Sequence, residues 1–155
     1  MSGVTTDRGV LESIIRQAAV CRIGLCDGGQ PYVVPVCFGY EDGVLYFHSS
    51  VTGRKVDALR RNNAVCVEFD VDQEIVKAEC ACKWGIKYRS VIGFGEASFV
   101  EEVEEKRRAL DIIMRHYGGE PQDYPEATLA KTAVLRTEIQ DATAKITGTE
   151  EEAAL

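Results

Sequence analysis

The sequence has fewer basic than acidic residues and no long apolar run. Its 155 residues include 18 Lys and Arg against 25 Asp and Glu, which gives a formal net charge of −7. This balance argues against a nucleic-acid-binding surface, because phosphate binding needs an excess of Lys and Arg on one face. Arg8, Glu12 and Arg16 interrupt the N-terminal region, so we expect neither a signal peptide nor a membrane span there. We therefore predict a cytoplasmic protein with no nucleic-acid or membrane partner.

Motifs of several catalytic classes are missing as well. The chain has only two histidines, His48 and His116, and no G-x-S-x-G segment, which argues against a hydrolase. The two glycines of residues 93–95 do not belong to a G-x-G-x-x-G dinucleotide-binding loop. Because they fall inside an apparent strand, they predict the close approach of another backbone.

The six cysteines do not show the spacing of a zinc site. Without a signal peptide, we interpret them as the reduced thiols of a cytoplasmic protein. Cys80 and Cys82 form a C-x-C pair in a segment with the pattern of a strand, where both sulfurs would share one face. A structural zinc site requires a second pair of ligands, and none follows. We predict no metal site and favour a core or subunit-interface role for this pair.

Hydrophobic periodicity indicates three helices and several short strands separated by turn residues. The strand that contains Pro35 is expected to be irregular or to lie at a sheet edge, because proline cannot donate to a ladder. Many short strands with few helices favour a small β-barrel of the α+β class. We predict one domain over residues 1–155, with a loop at 118–127 and a flexible tail at 148–155. Helices are predicted at 7–19, 53–62 and 101–117, and strands at 20–27, 32–40, 44–50, 64–72, 74–82, 88–100 and 132–148.

The predicted helix at 53–62 begins with two cations, Arg54 and Lys55. The positive end of the helix dipole normally favours acidic residues, each by about 0.3–1 kcal/mol. An anion in front of the helix would explain the two cations, since the free N–H groups of the first turn would bind it as well. Hydroxyl groups at Ser49, Ser50 and Thr52 lie beside this position in the sequence. The alternative is that both cations are solvated surface residues whose small penalty is tolerated.

Two segments carry a resemblance to a known family. They are "PYVVPVCFGYEDGVLYFHSSVTGRKVDALRRNNAVCVEFD" and "KWGIKYRSVIGFGEASFVEEVEEKRRAL". In order and spacing they resemble the FMN-binding split-barrel family, also called pyridoxamine 5′-phosphate oxidase-like, and within it the nitroimidazole-resistance-type branch. The resemblance covers roughly residues 8–148. It implies a small antiparallel split β-barrel with peripheral helices, and a homodimer whose two cofactor sites are shared between subunits.

The resemblance also implies a cofactor and its contacts. FMN is the expected cofactor, with its phosphate bound at the start of the 53–62 helix and its ring along a nearby strand. Two contacts on a later strand, Tyr88 and Ser90, are expected to come from the second subunit. The expected cofactor-binding residues are Val34, Pro35, Val36, Cys37, His48, Ser49, Ser50, Arg54, Lys55, Tyr88 and Ser90.

The function implied is an FMN-dependent oxidoreductase that reduces a small organic substrate, with a nitroaromatic such as a nitroimidazole as one possibility. In this interpretation His48 positions the substrate or supplies a proton; the alternative is a strand-end histidine with a local hydrogen bond. The alternative function is a non-catalytic flavin- or haem-binding protein. No histidine follows His116, so the Arg-x-His motif that ends true pyridoxamine-phosphate oxidases is missing and vitamin B6 oxidation is not expected.

Overall fold

The computed structural model of the protein describes residues 3–148. Within this range the chain forms an antiparallel β-structure with peripheral helices and one short 3-10 turn, Ala81–Lys83. In chain order the elements are β1 (Gly3–Thr5), α1 (Arg8–Gln17), β2 (Cys21–Asp27), β3 (Gln30–Val36), β4 (Phe38–Glu41), β5 (Val44–Ser50), α2 (Arg54–Arg61), β6 (Ala64–Val76), β7 (Gly85–Phe99), α3 (Val103–His116), α4 (Glu126–Ala130), β8 (Thr132–Glu138) and β9 (Gln140–Thr147).

The strands follow the order β3-β2-β6-β7-β8-β5-β4, and every neighbouring pair is antiparallel. Strand β7 also pairs with β9, which in turn pairs with β1. One edge of β7 therefore contacts β6, while its other edge contacts β9 over Tyr88–Phe94 and β8 over Ala97–Phe99. This arrangement confirms the expected α+β class and the split barrel.

The barrel core follows from the alternation of side chains along the strands. Phe38, Phe47 and Phe69 are fully buried, and Ile14 and Ile15 of α1 pack into the same cluster. Each such side chain stabilises the fold by about 1.5–3 kcal/mol relative to exposure. A second, smaller cluster lies where α3 packs on β4, β5 and β8; its buried members are Tyr46, Val100, Ala109, Ile112, Ile113 and Val134.

Local interactions define the ends of α1 and α3. The side chain of Asp7 caps α1 by accepting from the Val10 N–H, and Glu102 caps α3 by accepting from the Glu105 N–H. At the other end of α3, the imidazole Nε2 of His116 lies 2.7 Å from the Ala18 carbonyl oxygen. Its ring centroid is 4.2 Å from that of Phe38. His116 is therefore a packing residue that ties α3 to the end of α1.

Several predicted strand limits are wrong. The segment 32–40 breaks at Cys37 into β3 and β4, and 132–148 breaks at Ile139 into β8 and β9. Conversely, β6 runs on from 64 to 76 through an irregularity after Val71. There Asp72 has a φ of 58°, a left-handed conformation that adds a bulge without ending the strand.

Other differences concern short elements. Residues 77–82, predicted to continue a strand, form a bend and the beginning of the 3-10 turn. Helix α4 lies partly within the predicted loop, and β1 was not predicted. The expected edge position of Pro35 is confirmed, because β3 is the terminal strand of the sheet order. Apart from Gly148, the predicted tail at 148–155 lies outside the described residues, and the single-domain boundaries remain a prediction.

Candidate functional site

Helix α2 begins without a side-chain cap. Gly53 is the N-cap residue, with φ 124° and ψ 165°, a conformation that L side chains rarely adopt. The Gly53 carbonyl accepts the Asp57 N–H at 3.0 Å, so the helical ladder starts at this residue. No side chain among residues 3–148 accepts from the first-turn N–H groups. These donors are available to an external anion.

The guanidinium of Arg54 is held in a fixed orientation beside this helix end. Its Nε donates to Asp27 Oδ2 at 2.8 Å, and its Cζ lies 4.1 Å from the centroid of the Tyr32 ring. Asp27 also pairs with Arg61, from the last turn of the same helix. Within the described residues, no acceptor contacts the two terminal nitrogens of Arg54. They remain able to donate to a bound anion.

Lys55 and His48 form the other half of this cationic group. Lys55 is half-buried and His48 is exposed, and neither side chain has a hydrogen-bond or carboxylate partner within residues 3–148. Partial burial lowers the pKa of Lys55. Desolvation, and secondarily the nearby Lys55 ammonium, lower the pKa of His48. A positive charge at a helix start with no carboxylate partner within residues 3–148, here that of Lys55, is the arrangement expected of an anion site.

The strand before α2 sends its side chains to opposite faces. Leu45 and Phe47 belong to the barrel core, and alternation along β5 places Ser49 on that same side. His48 and Ser50 lie on the other face, and Ser50 is exposed. The structure therefore brings His48 and Ser50 together on one face but does not place Ser49 beside them.

The candidate residues of strand β3 also point to two opposite faces of the sheet. Val36 is buried in the core and Val34 packs against it. Pro35 and Cys37 are exposed. Among the described strands β3 pairs with β2 only, so its other edge is open within residues 3–148, along the backbone that was expected to follow the flavin ring. A planar ring beside this stretch would contact backbone, Pro35 and Cys37 rather than the two valine side chains.

Tyr88 and Ser90 lie elsewhere in the same chain. Both are half-buried on β7, where Ser90 pairs with Asp70. In the sheet order β7 is three strands from β3, a separation of about 14 Å at the usual spacing between strands. They line a groove of about 410 Å³ together with Arg22 and Asp70, which are paired to each other. The candidate residues thus form two separate groups within one chain.

Two residues that orient this site were missed by sequence reasoning. Asp27 and Tyr32 flank the β2–β3 turn and contact Arg54 from there. Nothing in their local sequence marks them, because the contact arises only when α2 packs against β2. Within residues 3–148 no group of three or more His, Cys, Asp or Glu is placed to hold a metal ion. In the same range, none of the helices has the length and apolar character needed to span a bilayer.

Comparison with known proteins identifies the family. A family profile for pyridoxamine 5′-phosphate oxidase matches residues 7–146. The chain belongs to the pyridoxamine 5′-phosphate oxidase family. The family expected from the sequence motifs is thereby confirmed. A search of curated proteins found no match to this chain.

Solved structures extend this comparison. A candidate 5-nitroimidazole antibiotic resistance protein from Bacteroides thetaiotaomicron is 39% identical, with a TM-score of 0.85 over 94% of this chain and 87% of that chain. A FAD and haem binding protein from Mycobacterium smegmatis is 22% identical, with a TM-score of 0.84 over 97% and 78% of the two chains. A flavocytochrome from Azotobacter vinelandii is 24% identical, with a TM-score of 0.77 over 97% and 73%. The last two similarities show the fold alone.

Replacing Lys55 with Gln is expected to raise the pKa of His48 towards its ordinary value of about 6.5. The substitution removes one of the two causes that disfavour the imidazolium, while desolvation remains. Because the folded pKa of His48 is below the unfolded value, its contribution to stability is present above about pH 6.5 and is lost as the pH falls. The Lys55→Gln variant should lose less stability on acidification.

The measurement is an NMR titration of the His48 ring in the cofactor-free protein. Arg60→Gln, in the last turn of the same helix, is the matched control and should leave the His48 pKa unchanged. An unchanged pKa in Lys55→Gln would show that the two groups are not electrostatically coupled.

Proposed function

We propose that the protein is a homodimeric FMN-dependent oxidoreductase that reduces a small organic molecule, with nitroaromatics such as nitroimidazoles as the substrate class. The observation that carries the proposal is the uncapped start of α2, where two cations converge and Lys55 has no counter-charge within residues 3–148. Membership of the family and the 39% identical relative support it. A cytoplasmic location is part of the proposal, because all six cysteines are unbridged.

The residues at α2 fit a terminal phosphate group. A phosphate monoester carries close to two negative charges at neutral pH. Arg54 offers two free nitrogens in a fixed orientation, Lys55 offers a partly desolvated ammonium, and the first turn of α2 offers backbone N–H groups. Charge-assisted hydrogen bonds of this kind are each worth about 1.5–3 kcal/mol. FMN therefore suits this site through its phosphate, with Ser50 as a further hydroxyl donor.

His48 is the proposed catalytic residue. When bound, FMN would supply the redox chemistry, while the chain provides binding, orientation and electrostatics. The lowered pKa of His48 keeps its imidazole largely neutral at pH 7, so the ring can donate one hydrogen bond and accept another. It lies on the exposed face of β5 beside Lys55, where a small substrate above a flavin could reach it. We assign it to substrate positioning or proton supply.

The proposed homodimer follows from an exposed apolar surface on the sheet. Ile92 and Phe94 of β7 are 43% and 51% exposed, and Val33 of β3 is 62% exposed. The register places Val33 and Phe94 on the same face of the sheet, and exposed apolar residues grouped on one face mark interaction surfaces. Tyr88 and Ser90 share the outer face of β7 with Ile92 and Phe94, and in the proposed dimer the α2 group of the second copy lies against them. Each of the two sites would then be shared.

The first experiment tests the function directly. Purified protein should be yellow, release FMN on denaturation, and reduce a panel of nitroaromatics with a reduced nicotinamide as electron source. His48→Ala should keep FMN bound and slow substrate reduction, by about 10²–10⁴-fold if the residue supplies a proton. A haem Soret band in place of the flavin spectrum would overturn the proposal. Bound flavin that no nicotinamide reduces would identify a binding protein without turnover.

The second prediction concerns the phosphate. Combined substitution of Arg54 and Lys55 with Ala should weaken FMN binding by several kcal/mol, because at least two charge-assisted bonds are lost. Riboflavin, which has no phosphate, should bind the variant and the wild type equally. The measurement is fluorescence titration of the cofactor-free protein with both ligands. Arg60→Ala is the matched control. Equal FMN affinity in the double variant would exclude this position for the phosphate.

The third prediction concerns the shared site. The Arg54→Ala, Lys55→Ala variant and a Tyr88→Ala variant should each bind FMN poorly when pure. In a dimer with one copy of each variant, one site contains the substitutions of both variants, and the other site contains only wild-type residues. Random exchange of subunits should therefore restore tight binding in about one quarter of all sites. If mixing restores none, the two groups do not meet across subunits.

A further inference from the structure

Cys80 and Cys82 lie at the tip of a projecting hairpin. Strands β6 and β7 continue beyond the sheet as a two-stranded arm that ends at the pair of Val76 with Gly85. The chain between these two residues carries both cysteines, and both are exposed. Of the two roles expected for them, a place in the core is therefore wrong, and a place at a subunit interface remains a prediction.

The two sulfurs are in direct contact. Their Sγ atoms are 2.8 Å apart, and the structure contains no bond between them. Ala81, the residue between them, begins the 3-10 turn and so has a helical rather than an extended backbone. Two residues of a strand span about 6.6 Å, close to the upper limit of the Cα separation that a disulfide accepts. The turn shortens this span and directs both thiols towards each other.

Backbone and side-chain bonds hold this turn in place. The Lys83 N–H donates to the Cys80 carbonyl at 2.9 Å, and the Trp84 N–H donates to the Ala81 carbonyl at 3.2 Å. The indole Nε1 of Trp84 donates to the Ala78 carbonyl at 2.7 Å. The contact between the thiols therefore belongs to a defined turn.

The pKa shifts of the cysteines differ, and the difference favours reaction at Cys80. Hydrogen bonds from the Cys82 thiol and, secondarily, from its backbone N–H lower the pKa of Cys80. Burial raises the pKa of Cys21 to about 12 and also raises that of Cys66. Since the thiolate is the nucleophile, Cys80 should react faster than either of these.

We propose that Cys80 and Cys82 form a reversible redox pair, which a low-molecular-weight disulfide of the glutathione type oxidises to an internal disulfide. The Cys80 thiolate attacks one sulfur of the oxidant, forming a mixed disulfide and releasing one thiolate. The Cys82 thiolate then attacks the Cys80 sulfur, closes the internal bond and releases the second thiolate. The protein dithiol loses two electrons and two protons, and the oxidant becomes two thiols.

At the other exposed cysteines within residues 3–148, no neighbouring thiol is placed to attack a mixed disulfide. Cys26 and Cys37 are exposed, but within residues 3–148 neither has another thiol in hydrogen-bond contact. A mixed disulfide formed there has no neighbouring thiol to resolve it. Transient pairs of this kind are the form in which disulfides occur in reducing compartments. The proposal does not depend on flavin binding, so it and the proposed function can fail separately.

The test uses the full chain with whatever cofactor it carries. Protein is incubated with glutathione disulfide, remaining thiols are alkylated, and intact mass and peptide maps are recorded. We expect wild type to lose two alkylated thiols, at Cys80 and Cys82, without retaining glutathione there. Cys82→Ser should retain one glutathione on Cys80, because the resolving thiol is absent. Cys26→Ser is the matched control and should form the internal bond as wild type does.

The order of attack has its own measurement. At neutral pH, Cys80→Ser should react with glutathione disulfide at least several-fold more slowly than Cys82→Ser, in which a hydroxyl can still donate to Cys80. Dithiothreitol should reverse the wild-type bond. Glutathione retained on wild-type Cys80, or bonding of either cysteine to another position or chain, would overturn the redox pair. Equal rates in the two variants would overturn the assignment of Cys80 as the attacking thiol.

Discussion

Strand β7 joins the two parts of the split barrel, because one of its edges changes partner from β9 to β8. The change occurs beside Gly93 and Gly95. A Cβ on Gly95 would overlap the Glu138 carbonyl oxygen, and one on Gly93 would meet the Ile139 side chain. Ile139 is the residue between β8 and β9. Only glycine lets this corner of the chain approach β7 so closely, which is the role that the sequence pattern predicted for the two glycines.

The position of β7 also decides where its outer side chains can act. Val91 points into the barrel, so its neighbours Ser90 and Ile92 point outwards. They face away from the start of α2, which packs against β2 on the other side of β6. In the proposed shared site, Lys55 and Ser90 at one flavin come from different copies of the chain. The strand order is compatible with the proposed dimer, in which the second copy would cover the exposed Ile92 next to Ser90 on the outer face of β7.

Local patterns could predict helices α1, α2 and α3 and the core-facing residues, but not the short helix α4 or the positions where strands break. Val36 is buried before the break at Cys37 and Phe38 is buried after it, so the period of two continues through the break unchanged. Only the partner strand changes, and strand pairing depends on tertiary structure rather than on local sequence.

The candidate anion site likewise has a part that local sequence predicts and a part that it does not. The basic start of α2 could be predicted because the dipole argument is local. Asp27 and Tyr32 could not, because they reach Arg54 only through packing of α2 against the β2–β3 hairpin.

The two cations at α2 would contribute to the proposed anion binding in different ways. Arg54 is already oriented by Asp27 and Tyr32, so little side-chain freedom remains to be lost when an anion binds. Lys55 is instead partly desolvated and has no carboxylate partner within residues 3–148, and its lowered pKa records the cost of keeping it charged. A phosphate dianion would remove that cost and also raise the pKa of His48. Any such ligand binds the folded state alone, so it stabilises the fold in proportion to the logarithm of its concentration. In a chain of net charge −7, the positive charge of Lys55, which has no carboxylate partner within residues 3–148, would favour the binding of an anionic cofactor at the start of α2 in the proposed site.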